Sequence, residues 1–553
     1  MTDTKMLAEL LFPGIDKTPE DYEKIYPERN LGEGAVVTRF SPSPTGFLHF
    51  GGLFAAFASY SAAKMTDGVF FLRIEDTDKK REIENGVSLI VKGFEDFGIN
   101  IDEGMISETD EKGDYGPYIQ SRRTHIYQSF VKSLIDRGAA YPCFMTEAET
   151  ASVREEQEKE KLLPGIYGKF AKYRDMSYDE IKKRIDAGDE YVIRLRSPGK
   201  EENRIKFKDI IKGEIEMPEN ILDIVLLKKD GTPTYHFAHA VDDHLMRTTH
   251  VIRGDEWISS VPIHLQLFKI CGFKAPKYAH ISPIMKEENG GKRKLSKRKD
   301  PEAAVSYYSE AGYPKGAVWE YMMTLANSNY EDWRIANPDL PIGDFKFAFS
   351  KMSKAGALFD MAKLSDISKT YISKLTADEV FDAVKEWSYE NNKKLHELLC
   401  KNEQYAKSVF SIERGNEKPR KDIAKWSDVE DYISYFYKEL WNGERDFSDN
   451  ISKDAMLEIL TEYKNVYTKE TNPENWFPDL RDMAERLGYA KQPKLFKKNP
   501  ELYRGHVGDV SNVIRAAVTG RRNTPDLCAV MQTLGYDEVM KRLDSAMEYL
   551  SEN

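Results

Sequence analysis

Residues 35–74 read AVVTRFSPSPTGFLHFGGLFAAFASYSAAKMTDGVFFLRI, and the order of their compositions decides the fold. Ala35 to Phe40 is strand-like. Ser41 to Gly46 cannot continue it, because two prolines fix φ and remove backbone donors. From His49 to Met65 the residues turn small and helical, and Asp67-Gly68 closes the run. Val69 to Ile74 is continuously apolar, as expected of a strand covered on both faces. Strand, loop, helix and strand in so short a space make a βαβ unit, hence a parallel pair with a right-handed crossover.

Working outward, residues 1–34 are polar with scattered Pro and Gly and read as a surface extension or cap, before a first sheet half over 35–115. Over 116–220 the character changes. Ser121 to Gly138 is an amphipathic helix, Glu147 to Lys161 a highly charged one, and Tyr191 to Arg196 alternates like a half-buried strand. This reads as an insertion between two halves of one sheet. The sheet is expected to resume over 221–290, with strands at Ile221–Leu227, Thr249–Arg253 and Tyr278–Met285 and a helix at Glu256–Cys271. A further segment, 291–374, leads into a region, 375–553, that contains no convincing strand. The fold class is therefore α/β: a split parallel sheet with an inserted α/β module, followed by all-α C-terminal domains.

Hydrophobic content of 41% and charged content of 31% belong to an ordinary globular chain. No apolar run approaches the ~20 residues needed to cross a bilayer, so no membrane association is expected. The N-terminus, MTDTKMLAELLFPG, has one early Lys and no small-residue cleavage site, which argues against a secretory signal. Cys143, Cys271, Cys400 and Cys528 are far apart and form no CxxC or Cys/His cluster. That usage suits a reducing compartment, the cytoplasm, and neither a disulfide framework nor zinc. The net charge of −11 speaks against an RNA partner at first sight, but local charge governs phosphate binding. Basic residues concentrate at Arg194, Arg196, Lys200, Arg204, Lys206 and Lys208, at Lys292–Lys299, and at Lys491, Lys494, Lys497 and Lys498.

Two constellations carry chemistry. In Arg39–Gly52, a loop leaves a parallel strand and enters a Gly-Gly helix start, placing backbone N–H groups and a positive helix end where phosphates can sit. Gly51 and Gly52 lack Cβ, which lets a nucleotide approach the backbone, and His49 can donate to a phosphate as charge builds. The bland reading of the same residues is a tight turn with a satisfied structural histidine. The second constellation, Lys292–Lys299 (KRKLSKRK), follows the last strand, and the carboxyl end of an open α/β sheet is where ligands bind. Its bland reading is a solvated basic loop.

Together the two resemble the paired signatures of class I aminoacyl-tRNA synthetases, His49-Phe50-Gly51-Gly52 and Lys294-Leu295-Ser296-Lys297-Arg298. Flanking text narrows the resemblance to glutamyl-tRNA synthetases of bacterial type: Arg39 with Ser41–Gly46, Arg73-Ile74-Glu75-Asp76-Thr77-Asp78, Gln120-Ser121, Tyr235-His236, Val241–His244 and Val251–Trp257. The resemblance is good from about 35 to 330 and fades through the C-terminal third. Lys351-Met352-Ser353-Lys354 matches the literal second signature better, but it lies beyond the last expected strand, so 294–298 is taken as the signature.

The resemblance implies a Rossmann-like catalytic domain split by an acceptor-binding insertion, a signature-loop and tRNA stem-contact domain, and a helical anticodon-binding region. It implies ATP-dependent formation of glutamyl-adenylate and transfer to the terminal adenosine of tRNA(Glu), with the tRNA needed even for the first step. His49, Lys294 and Lys297 stand in catalytic places. Gly46, His49, Gly51, Gly52, Ser296 and Lys297 stand in ATP-binding places, and Arg39, Ser41, Ser43, Glu75, Tyr235, His239 and Arg253 in glutamate-binding ones. The two arginines offer forks for two carboxylates and Glu75 complements an ammonium. Mg²⁺ is expected on the phosphates. In some relatives the insertion carries zinc on cysteines near Ala140-Tyr141, but only Cys143 is present, so no zinc is expected. His239 stands where relatives commonly have an amide. Arg194, Arg196, Lys206 and Lys208 are candidates for the acceptor end. Trp426, Tyr432, Tyr435, Tyr437, Trp476 and Phe477 are open to base stacking or to core packing, the commoner use. A monomer is expected. The alternatives are a glutaminyl-tRNA synthetase, disfavoured because that sister carries a carboxylate where Ser43 stands, a small-molecule adenylyltransferase, and a non-catalytic tRNA-binding paralogue.

Overall fold

The first strand, β1 (Val37–Phe40), runs into the helix α1 (Phe50–Lys64) and returns as β2 (Val69–Leu72), which pairs parallel with β1 from Val37↔Val69 to Phe40↔Leu72. These elements belong to a computed structural model that describes residues 3–44, 48–77, 83–296 and 298–552. The return to β2 depends on Gly68: a Cβ there would stand 2.0 Å from the Val36 carbonyl oxygen, so only glycine lets the strands approach. β3 (Glu103–Met105) adds parallel to β2.

After the insertion come α2 (Tyr235–Leu245), β4 (His250–Gly254), α3 (Val261–Cys271) and β5 (Lys277–Ile281), with β4 and β5 parallel. β1 and β4 lie side by side, tied where Thr249 N–H donates to the Val37 carbonyl at 3.0 Å and Val37 N–H to Thr249 Oγ1 at 2.8 Å. The order β3–β2–β1–β4–β5 reverses direction at β1/β4, and such a switch point opens a crevice at the carboxyl ends of the strands. A short antiparallel hairpin, β6 (Met285–Glu288) and β7 (Gly291–Lys294), follows β5.

The sheet resumes differently from the expectation at one place. Ile221–Leu227 does not rejoin the parallel sheet. Only Val225–Leu227 is a strand, and it pairs antiparallel with Val192–Leu195, which pairs antiparallel with Ala140–Cys143. Conversely, the hairpin Arg204–Asp209 and Gly213–Pro218 reaches the central sheet, with Asp209 beside Tyr278 of β5. Apolarity marks both segments as strands, but partner choice is non-local.

The N-terminal segment is a brace. Its helices, Asp3–Leu11 and Pro19–Ile25, are followed by Arg29, which makes a bidentate pair with Glu103 at 2.6 and 2.8 Å. Thr18 caps the second helix in a reciprocal box with Asp21.

The chain divides into two compact units, residues 1–308 with 319–360, and 309–318 with 361–553. The second unit is helical, and among the described residues no strand follows Lys294. Its interior has one apolar cluster around Val380, Leu399, Trp426 and Tyr435, and another around Leu460, Trp476, Val513 and Leu543. Trp426, Tyr435, Tyr437 and Trp476 are thus core, whereas Phe477 is exposed.

Candidate active site

A cavity of about 750 Å³ opens at the β1/β4 switch point. Both halves of the sheet line it: Arg39, Ser41, Ser43, His49, Gly51, Gly52 and Glu75 from the front, Tyr235, Arg253, Trp257, Lys294 and Leu295 from the back. The separate signatures therefore open onto one space. An antiparallel bridge between His49 and Ala304 fastens the segment after the second signature to the start of α1.

His49 is the N-cap of α1, and its Nδ1 accepts the Gly52 N–H at 3.0 Å. That bond places the ring proton on Nε2, where it can donate. The turn needs the glycines: a Cβ on Gly51 would sit 3.1 Å from His49 Cε1, and one on Gly52 3.0 Å from Leu48 Cδ1. Gly51 thus makes room for the imidazole, and Gly52 for the Leu48 side chain behind it.

Behind the front wall lies a buried charge network. Asp243 accepts from Arg39 Nε at 3.2 Å and from Arg73 Nη1 at 2.6 Å; Arg73 Nη2 donates to Glu75 Oε1 at 3.1 Å. Asp242 accepts from Arg123 Nε at 2.7 Å, from Gln120 at 2.9 Å and from the Tyr127 hydroxyl at 2.8 Å. Three guanidinium groups therefore face three carboxylates, Glu75, Asp242 and Asp243, all nearly or wholly out of water. Burial works against the Asp243 charge, but Arg39, Arg73 and His239 outweigh it and hold the carboxyl well below its usual range. For Glu75 burial wins, and its pKa is raised despite Arg73 and Arg39. Ser41 Oγ is buried and has no hydrogen-bond partner among the described residues.

Arg253 is held differently. Its Nε donates to His280 Nε2 at 3.1 Å, Nη1 to the Tyr235 hydroxyl at 3.3 Å, and Nη2 to His264 Nδ1 at 3.2 Å and the Trp257 carbonyl at 3.3 Å. His280 Nδ1 stands 2.7 Å from Asp209, and His264 Nε2 3.0 Å from His236 Nδ1. Burial, helped by the Arg253 charge, pushes His236 down to about 4 and His264 well below the ordinary histidine value; His280 is lowered chiefly by burial.

Not every residue expected at the site lines it. His239 is fully buried behind Tyr235, with Nδ1 2.9 Å from Asp243 Oδ2 and Nε2 3.1 Å from the Tyr278 hydroxyl; burial pushes it down to about 3. It lies on the same face of α2 one turn beyond Tyr235, whose ring stacks over it with centroids 6.0 Å apart, so Tyr235 takes the cavity and His239 meets the charge network behind it. Ser296 does not line the cavity; its N–H donates to Asp300 Oδ2 at 2.9 Å. Gly46 and Lys297 lie outside the described residues. Asp300 also takes a bidentate grip from Arg293 at 2.6 and 2.7 Å and a bond from Lys286 at 3.1 Å, which fixes the base of the hairpin carrying the signature.

The literal string Lys351–Lys354 is absent from the lining, and its Met352 is buried. The Lys354 carbonyl accepts from Lys212 Nζ at 2.8 Å and Ser282 Oγ at 2.7 Å, so this stretch is tied down by its backbone. In the insertion, Arg194 donates to the Asp223 carbonyl at 2.9 Å, Arg196 pairs with Asp175 at 2.5 Å and Lys206 with Glu216 at 3.2 Å, while Lys208 is exposed. Cys143 is buried, and among the described residues no group of His, Cys, Asp or Glu is arranged to hold a metal ion. Asp209, His264 and His280 are not legible as site residues in the sequence. The signal for His264 and His280 is a polar residue inside an apolar run, and Asp209 closes a charged, alternating strand; none of them shows its partner until the strands pair.

Residues 35–366 match the family described as tRNA synthetases class I (E and Q), catalytic domain, and residues 504–547 match an anticodon binding domain. The chain is 52% identical over 541 residues to a glutamate–tRNA ligase of Clostridium perfringens strain 13, covering 97% of this chain and 99% of that protein. It is 45% identical to the glutamate–tRNA ligase of Acetivibrio thermocellus over 98% of this chain and 99% of that one. The alignment with these relatives extends through the C-terminal third. Among solved structures, a glutamate tRNA ligase from Elizabethkingia meningosepticum in complex with its amino acid superposes with a TM-score of 0.75 at 28% identity, over 93% of this chain and 99% of that one. By the matched domain and the extent of these likenesses, the chain belongs to the glutamate–tRNA ligase family of class I tRNA synthetases.

Proposed function

We propose that the chain activates L-glutamate with ATP, giving glutamyl-adenylate and pyrophosphate, and then esterifies the glutamyl group to the 3′ terminal adenosine of tRNA(Glu). The observation that carries this reading is the single cavity onto which His49, Arg39, Glu75, Tyr235, Arg253 and Lys294 all open. Its chemistry suits a ligand with two carboxylates, one ammonium and an adjacent triphosphate.

In this reading Arg39 and Arg253 bind the two carboxylates, Glu75 faces the ammonium, and Ser41, Ser43 and Tyr235 supply neutral hydroxyls. The Ser41 Oγ, without a hydrogen-bond partner among the described residues, supports a role in meeting a ligand. The α-carboxylate oxygen attacks the α-phosphorus, and the α–β bridging P–O bond breaks to release pyrophosphate. His49 Nε2–H, the N–H groups of Gly51 and Gly52, and the ammonium groups of Lys294 and Lys297 stabilise the charge developing on the phosphates. ATP enters as its Mg²⁺ complex. The 2′-hydroxyl of the terminal ribose then attacks the mixed anhydride and AMP leaves. No protein nucleophile is required, because the anhydride is already activated and positioning supplies the rate.

His239 is assigned no substrate contact; it supports Asp243, which in turn holds Arg39. We assign the insertion near 116–220 to the acceptor end, with exposed Lys208 as the cation best placed to meet it, and the helical region from 375 to the anticodon. The enzyme is proposed to act as a cytoplasmic monomer without zinc, since Cys143 has no second cysteine nearby in sequence. The test is aminoacylation of purified tRNA(Glu) and tRNA(Gln) with both amino acids. Glutamate should be transferred to tRNA(Glu). Preferential charging of glutamine would mark the glutaminyl sister, and no transfer of either a non-catalytic paralogue.

A further inference from the structure

The arginines around the cavity fall into two electrostatic kinds. Arg39, Arg73 and Arg123 are matched in number by Glu75, Asp242 and Asp243, so that part of the wall is neutral overall. Arg253 forms no ion pair among the described residues. Its partners are two imidazoles, a phenol and a backbone carbonyl, and the Tyr278 and Trp257 rings stand 5.0 and 5.9 Å from the guanidinium carbon. A guanidinium has five N–H donors. Four are engaged here, which leaves one on Nη1 together with a whole positive charge.

The imidazoles are set up to accept. Arg253 and His280 are register partners on β4 and β5, so the parallel pairing itself brings Nε and Nε2 together. One strand further, Asp209 lies 2.7 Å from His280 Nδ1 and also takes the His280 backbone N–H at 3.1 Å. Asp209 thus fixes the proton on Nδ1 and leaves the Nε2 lone pair for Arg253. On the other side, His264 accepts from Nη2 through Nδ1 and so donates from Nε2 to His236. The charged groups around this cluster are Asp209 beyond His280, Asp243 beyond His239, Glu75 and Arg39 on the far side of Tyr235, Glu256 on the cavity lining, and Asp255, which is occupied by Lys212 at 2.9 Å. None touches Arg253.

We propose that Arg253 meets the substrate's side-chain carboxylate and that His264 and His280 are positioning residues that hold it through neutral acceptors, leaving its charge unbalanced so that the pocket selects that carboxylate over its isosteric amide. A carboxylate in either place would hold the guanidinium equally well and cancel the selecting charge. This deepens the reading of the site as a glutamate pocket and rests on it.

The test compares His280→Glu with His280→Gln in tRNA-dependent ATP–pyrophosphate exchange, using L-glutamate and L-glutamine on the full chain. His280→Glu should lower kcat/KM for glutamate roughly 30-fold or more, mainly through KM, because one substrate carboxylate loses its unpaired cation. The KM for ATP should stay put and the preference for glutamate over glutamine should collapse. His280→Gln, a neutral acceptor, should hold the preference near that of the unaltered chain. Should His280→Glu fail to fold, His264→Glu places a carboxylate against Nη2 and carries the same expectation. An unchanged glutamate-to-glutamine ratio in a folded Glu variant, or equal losses in the Glu and Gln variants, overturns the proposal. If the unaltered chain does not activate glutamate, the functional reading itself fails instead.

Discussion

Asp243→Asn removes one negative charge from the most buried part of the site while keeping the side chain's shape. Asp243 is fully buried and accepts from Arg39 Nε at 3.2 Å and Arg73 Nη1 at 2.6 Å, with His239 2.9 Å away. In the variant, three guanidinium groups face two carboxylates, and the amide presents N–H donors toward other donors. Breaking one partner out of a buried ion pair costs about 3–5 kcal/mol, because the remaining charge stays desolvated. At roughly 2 °C per kcal/mol for a large domain, the melting transition of the catalytic unit should fall by about 5–10 °C. The KM for glutamate should rise in parallel, since Arg39 loses its tether. The assay is thermal unfolding followed by circular dichroism, alongside ATP–pyrophosphate exchange. The double variant Asp243→Asn with Arg73→Met restores two positive charges against two negative ones and should melt above the sum of the single losses. A fall of less than about 1 °C in the single variant, or strictly additive losses in the double, would refute the idea that matched buried charge holds this wall together.

The remaining predictions test the other walls of the cavity. His49→Ala should lower kcat in exchange by about 10²–10³ with little change in the KM for glutamate, as expected for a donor that acts on developing phosphate charge; a change confined to KM would show a structural cap only. Lys297→Ala should abolish exchange while Lys351→Ala barely alters it, and the reverse outcome would reassign the second signature. Stability should weaken in acid: the pKa values of His236 and His239 are pushed down to about 4 and about 3 by burial, so the unfolded chain binds these protons first. Their contribution is complete above the unfolded value of about 6.5 and is lost as pH falls toward the folded values, by about 1.4 kcal/mol per histidine per pH unit. Denaturant midpoints at pH 7.5 and 5.5 measure it, and a flat profile would mean that these rings are not buried neutral.

The sequence alone settles the local elements. The Ser-Pro-Ser-Pro break after an apolar strand, the small-residue helix from His49 to Met65 and the apolar Val69–Ile74 run read in that order as strand, loop, helix and strand, and together they make a parallel βαβ unit. The ordered signatures place His49, Glu75, Arg253 and Lys294 at strand ends and loops, and all four meet at the cavity. Tertiary structure alone decides which segments pair. Val225–Leu227 joins the insertion's antiparallel sheet, while the Arg204–Asp209 hairpin extends the catalytic one, because two apolar strands carry no record of their partners until register and burial choose. It also decides what the buried polar residues do. Asp209, His264 and His280 look alike in sequence to any satisfied core residue, and His239 looks like a substrate ligand. Hydrogen bonding to partners 11 to 71 positions away turns the first three into a neutral cradle for Arg253, and one turn of helix puts the fourth behind the wall.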